Sequence, residues 1–192
     1  MTTPVEAPLV VGPAQLAAPS KLPPLAPAEV EDFWRAGDSP TGMIRLLTVQ
    51  AADAARALAA GERLTGSARH VTDRDVAAYA WMSVQLERLG WEVVDAPIWA
   101  WARVRFEELV AHWPSGTLDD VVVMVLDVPL GRTLLSAFDP WQELLDEGAE
   151  GTPNRRWARC LDIDAFPRSA LQATLPFVDP DDVVRACRLR TH

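Results

Sequence analysis

Lysine is almost missing from this chain: Lys21 is the only one among eighteen basic residues in 192, and it lies in a proline-rich lead. A Schiff-base or Walker-type lysine in the folded body is therefore excluded. Histidine is nearly as scarce. His70, His112 and His192 have no ligand-like spacing, so no metal site is expected. Cys160 and Cys187 are far apart and in no C-x-x-C pattern; they are expected as buried thiols rather than as a disulfide or a nucleophile. No apolar run approaches the length of a membrane span. No basic segment followed by an unbroken apolar core opens the chain, so a secretory signal is not expected and the cytoplasm is the expected location. With a formal charge of -9 and a pI near 4.8, a basic surface that tracks nucleic-acid phosphates is excluded. Neither nucleic acid nor membrane is expected as a partner; a protein partner stays open.

What is present is half hydrophobic and 23% charged, a globular balance. Residues 1–40 carry repeated proline, which removes amide donors and favours extended conformations, and are expected as a disordered Pro/Ala-rich tail. Within it only Ala28 to Arg35 suits a helical turn, where Phe33 and Trp34 either dock on the body or stay loose. Residues 41–192 are expected as a single α+β domain. Its architecture is a compact mixed, mostly antiparallel sheet of about six short strands on roughly two to four helices.

Met43 to Val49 reads as a buried strand with Arg45, Leu47 and Val49 on one face and Ile44, Leu46 and Thr48 on the other. An alanine-rich helix follows to Ala60, with Gly61 just past its end. After a connection holding Gly66 and His70, Thr72 with Asp75 at N3 predicts a long helix to Leu89 that buries Val76, Tyr79, Ala80, Ser83, Leu86 and Leu89, a stripe widened by Trp81 and Met82, and stops at Gly90. The Tyr79 hydroxyl either faces a pocket or is satisfied in the core. Residues 106–113 are ambiguous between helix and extended chain. Val121 to Val128 is the strongest strand signal and is expected to lie centrally, covered on both faces. Thr133 to Phe138 reads as a strand running into a helix with Asp139 as N-cap, Pro140 at N1 and Gln142 at N3, reaching about Glu147. Residues 148–154 are expected as a loop. Residues 170–175 alternate, and an acidic turn at Asp179–Asp182 leads into an edge strand.

Pro97 to Val104, reading Pro-Ile-Trp-Ala-Trp-Ala-Arg-Val, is the most informative stretch. As a strand it puts Ile98, Ala100, Ala102 and Val104 on one side and Trp99, Trp101, Arg103 and Arg105 on the other. The small face suits close approach by the long helix. The other offers indoles for stacking and guanidinium groups for an anion, a cleft that Arg45 and His70 would complete. The competing reading makes Trp99 and Trp101 core aromatics with the arginines at the rim. Ser136 has no sequence-evident base and no G-x-S-x-G around it, so it is a poor hydrolase candidate.

Five segments in order, Leu47–Gln50, Ala78–Met82 with Gln85, Pro97–Trp101, Leu134–Trp141 and Leu171–Thr174, resemble the bacterial family called domain of unknown function 3841 across about residues 43–190. Leu47 stands where that family often has Trp, Gln142 where it often has His, and Asp146 where an Asn is usual. The order of elements is similar, more distantly, to ADP-ribosyltransferase-like proteins. That similarity implies NAD held between the first strand, at Thr48, and an aromatic wall to which Trp141 would add. It puts Gln172 near the place of a catalytic glutamate, where a neutral amide cannot offset positive charge. Two functions are thus expected. One is binding of, or action on, a nucleotide-like small molecule through Arg45, Thr48, Trp99, Trp101, Arg103 and Trp141, with His70, Ser136 and Gln172 as the only catalytic candidates. The other is a non-enzymatic interaction domain that uses the Trp-rich face and the proline-rich tail.

Overall fold

The computed structural model describes residues 13–30, 40–111, 121–146 and 155–189. Six strands among them, β1 (Met43–Ala51), β2 (Ile98–Arg103), β3 (Val121–Pro129), β4 (Leu134–Ala137), β5 (Leu171–Leu175) and β6 (Val183–Arg188), form one sheet. Their order is β4-β5-β2-β1-β3-β6, and every neighbouring pair is antiparallel. The helices are α1 (Pro13–Leu16), α2 (27–30), α3 (Ala52–Ala59), α4 (Val76–Arg88), α5 (Phe106–Ala111) and α6 (Phe138–Asp146). The protein is α+β. No helix among the described residues is long and apolar enough to cross a membrane.

Alternation along β3 explains why the sheet is covered on both sides. Val122, Met124, Leu126 and Val128 join one cluster with Ala55 and Leu58 of α3 and Leu16 of α1. Val121, Val123 and Val125 join another with Val30 of α2 and Leu109 of α5. The strand is thus buried from Val121 to Val128, Asp127 included. Each of its apolar side chains contributes about 1.5–3 kcal/mol. β3 lies beside the edge strand β6 rather than at the middle of the sheet, so cover on its faces, not central position, is what its composition reports.

Both long connections leave their helices through the expected glycines. Gly61 (φ 87°) and Gly90 (φ 91°) occupy the left-handed region. At α4 the Gly90 amide donates to Glu87 O at 2.9 Å and the Trp91 amide to Leu86 O at 3.2 Å; at α3 Gly61 and Glu62 do the same to Leu58 O and Ala57 O. These paired bonds satisfy carbonyls that the helix ends would otherwise orphan.

Several expectations are corrected. Residues 13–30 of the proline-rich lead are packed on the body, with Leu16, Leu22, Leu25 and Val30 at most 5% exposed. Prolines there do not cost a ladder, because the amides that matter belong to non-proline residues: Leu25 donates to Arg188 O and Arg188 donates back to Pro23 O, each at 2.8 Å. Glu29 pairs with Arg185. Phe33, Trp34, His112, Glu147 and the 148–154 loop lie outside the described residues.

The helix under the small face of β2 is α3, not α4: Ile98, Ala100 and the partly buried Ala102 share the cluster of Ala55 and Leu58. β1 separates β2 from β3. A register shift between Trp101 and Arg103 breaks the alternation, and Val104 therefore falls in the cluster of Trp101 instead of that of Ile98. α4 begins at Val76, after a turn in which the Thr72 hydroxyl donates to Asp75 Oδ2 at 2.7 Å. It buries Met82 and Leu86 as expected, adds Ala78 and Gln85, and leaves Val76 and Leu89 exposed, because Ala78 and Met82 pack with Trp141 and Leu144 of α6. α6 starts at Phe138, two residues before the expected N1 position at Pro140, so Asp139 lies inside the helix rather than at its N-cap; the Phe138 amide donates to Ala170 O at 2.9 Å. Phe106 to Ala111 is helical, and residues 112 and 113 of that segment lie outside the described residues.

Candidate functional site

The register assembles a patch on one face of β2, β5 and β4. Trp99 stands opposite Thr174, which stands opposite Leu134; one row on, Trp101 faces Gln172, which faces Ser136. Residues opposite one another in an antiparallel sheet share a face. Thr174 and Ser136 are fully buried and Gln172 is 8% exposed. Four buried polar atoms of this patch, Trp99 Nε1, Thr174 Oγ1, Gln172 Oε1 and Ser136 Oγ, have no hydrogen-bond partner among the described residues. Elsewhere among those residues only Arg132 Nε is in the same position. An orphaned buried group costs about 1–3 kcal/mol. Four on one face is a concentration that packing does not explain.

α4 and α6 roof the patch. Trp99 lies 4.9 Å from Trp141 and 5.6 Å, edge-on, from Tyr79, which is itself 6.1 Å from Trp141. Trp141 is fixed from its helix start, because the Ser169 hydroxyl accepts the Asp139 amide at 3.0 Å and itself donates to Ala170 O. Asp139 is thus explained by its backbone position. The two helices are tied where Arg74 Nε donates to Leu145 O at 3.0 Å, meeting a carbonyl at the last turn of α6. Tyr79 of the roof and Trp99 of the sheet face are both half-buried. Burial, reinforced by the negative charge of Asp75, pushes the Tyr79 phenol above its ordinary value, and the nearby Trp99 indole N–H offsets part of that rise. Tyr79 is therefore a neutral donor at physiological pH. The indole N–H leans toward the phenol but does not reach hydrogen-bonding geometry.

Of the nine residues singled out from the sequence, this face gathers Ser136, Gln172, Trp99, Trp101 and Trp141, with Trp101 packed edge-on against Phe138 at 5.1 Å. The other four lie elsewhere. Arg45 makes a two-pronged bond to Asp127, both contacts 2.8 Å, across the β1–β3 pair. Arg103 donates to Ser169 O at 2.9 Å and Pro167 O at 3.1 Å. Thr48 is on the opposite face; its hydroxyl donates to Trp99 O at 2.9 Å and accepts from Gln50 Nε2 at 2.7 Å. It meets a carbonyl that the short β1–β2 ladder, registered at Leu47↔Trp101, leaves over. His70 is exposed in a turn at Ala68–His70, where its Nε2 accepts from Arg69 at 3.1 Å. Indoles and guanidinium groups thus do not converge on one cleft. Thr174 went unnoticed in the sequence, although two polar residues, Gln172 and Thr174, on one side of an otherwise apolar strand were the available signal.

Ser136 has no base within hydrogen-bonding reach among the described residues, so nothing on this face activates its hydroxyl as a nucleophile. Neither cysteine is poised for chemistry. Burial pushes the Cys160 thiol up to about 12 and raises that of Cys187. No group of three or more metal-ligating side chains occurs among the described residues.

The chain matches no family model, no curated protein and no solved structure. None of these comparisons supports the resemblance to domain of unknown function 3841 that was expected from the five segments quoted above.

Proposed function

We propose that the protein is a non-covalent binder of a small molecule held on the β2–β5–β4 face beneath Tyr79, Trp99 and Trp141. The observation that carries this is the set of four partnerless buried polar atoms on that face; a ligand that pairs with them would recover their desolvation cost. The nucleotide-like ligand expected from the sequence is retained in its planar part, which suits indoles and hydrogen-bonding groups. Its phosphate part draws no support, because Arg45 and Arg103 are both engaged within the protein. NAD enters only through the fold-level analogy and serves as one probe among several. A reducing cytoplasmic setting belongs to the same reading and agrees with two free, buried thiols. The interaction-domain alternative has less to recommend it: Trp101, Trp141 and Trp157 are at most 8% exposed, and residues 13–30 are engaged on the protein's own body.

The test follows the Trp99 indole N–H by nitrogen-15 NMR, its resonance assigned with Trp99→Phe. NAD, purine nucleotides and planar heterocyclic fragments are added at millimolar concentration. The expected result is a shift of that resonance with saturation. No movement with any compound overturns the proposal. Trp101→Ala is unsuited to the purpose, because Trp101 is core and its removal costs about 3–5 kcal/mol.

A further inference from the structure

Resting on that reading of the face, we infer that its ligand is an uncharged planar heterocycle with an amide-type edge, the chemistry of a nucleobase lactam, and not a phosphate-bearing anion. Three observations argue for it. The first is donor and acceptor type. Trp99 Nε1 only donates and Gln172 Oε1 only accepts, while the Ser136 and Thr174 hydroxyls do either. A ligand must therefore present at least one acceptor and one donor at separate points, which an N–H beside a carbonyl supplies and an all-acceptor phosphate or carboxylate does not.

The second is size. The rows of Thr174 and Gln172 are two residues apart on one strand, about 7 Å, and β2 and β4 flank β5 at about 5 Å on either side. The four polar positions thus span the area of one or two fused rings. The third is charge. None of the residues that bear the four atoms is ionisable, and the negative charge of Asp75 opposes ionisation of Tyr79 in the roof. An anion at the same mouth meets the same repulsion.

The experiment is a titration followed at the Trp99 indole N–H and by calorimetry, with uracil and hypoxanthine as neutral probes and their 5′-monophosphates as matched anions. Binding of a neutral base at least about tenfold tighter than its monophosphate is expected, a difference of about 1.4 kcal/mol. Ser136→Ala and Thr174→Val should each weaken the neutral base about five- to tenfold. A monophosphate that binds as tightly as its base, with the Trp99 resonance moving, overturns the ligand class and leaves the site standing. If neither base moves that resonance, the ligand class also falls, and the wider panel of planar compounds then decides separately whether the face binds anything.

Discussion

Thr174→Val puts the central observation at risk. The two side chains have nearly the same shape, and Thr174 is wholly buried with its hydroxyl partnerless among the described residues. Threonine at this position keeps a desolvated O–H whose cost is about 1–3 kcal/mol, and valine keeps the packing without it. The variant is therefore expected to be more stable than the parent by about 1 kcal/mol or more, which for a chain of this size raises Tm by about 2–4 °C per kcal/mol. Urea unfolding reads the change directly, with an unaltered m-value as the control that neither end state has been reshaped. In the presence of a ligand the sign reverses, because the variant loses a bond that the parent makes. A loss of about 1 kcal/mol in the ligand-free protein, at constant m, would refute the reasoning: the hydroxyl would then be satisfied in solution by ordered water, as roomy polar cavities commonly allow.

Removing Arg45 strands Asp127, which is 9% exposed; Arg45→Met is expected to cost about 2–4 kcal/mol, and combining it with Asp127→Leu should recover part of that in a double-mutant cycle. At Gly66 a Cβ would lie 2.3 Å from Ala96 O and 2.7 Å from Pro97 O. Gly66→Ala must push the connection off the start of β2, and its expected cost of about 2 kcal/mol or more is readable in chemical unfolding. Leu22 separates a docked lead from a loose one: Leu22→Ala should cost about 2–3 kcal/mol, where a mobile tail would give no change. Stability should fall with rising pH in the alkaline range. Cys160 titrates at about 12 when folded but near 8.5 when unfolded, so above that point the unfolded chain has released a proton that the folded one keeps, and stability declines by up to about 1.4 kcal/mol per pH unit. Below pH 8.5 this contribution is constant. Thiol labelling at pH 8 should be negligible before urea is added and complete after.

Strands were the legible part of this chain. Runs such as Val121–Val128 and the alternating Ala170–Leu175 carry their pattern in a few contiguous residues, and Gly61 and Gly90 marked their helix ends because the left-handed backbone there suits no other residue as well. The face of α4 was less legible. Alanine, valine and tryptophan occur all round that helix, so the stripe depended on which partner it met, and that partner, α6, lies about sixty residues further on. Proline misled in the lead. It reports a lost amide, whereas docking there is decided by Leu16, Leu22 and Leu25 and by two amides of other residues. For the site, Trp99, Trp141, Ser136 and Gln172 were each visible as unusual residues. Their convergence was not, since it depends on strand order, which places β5 between β2 and β4 and sends Arg45 to Asp127.

The two faces of β5 make the strongest argument that this convergence has a purpose. On one side Ala173 and Leu175 are buried among apolar neighbours and leave nothing unpaired. On the other, Gln172 and Thr174 are buried as well, next to Ser136 and the Trp99 indole, and four polar atoms lack partners. At about 1 kcal/mol each that is about 4 kcal/mol, a large share of the 5–15 kcal/mol by which a domain is stable. An apolar residue at position 174 or 136 would relieve it without disturbing the sheet. A sequence that elsewhere closes its helices with paired amide bonds and neutralises Arg45, Arg63 and Arg185 with carboxylates satisfies its buried polar side chains with one exception among the described residues, Arg132 Nε. Where such a chain leaves four more unpaired on a single face, the proposed ligand is the partner that would complete the bonding.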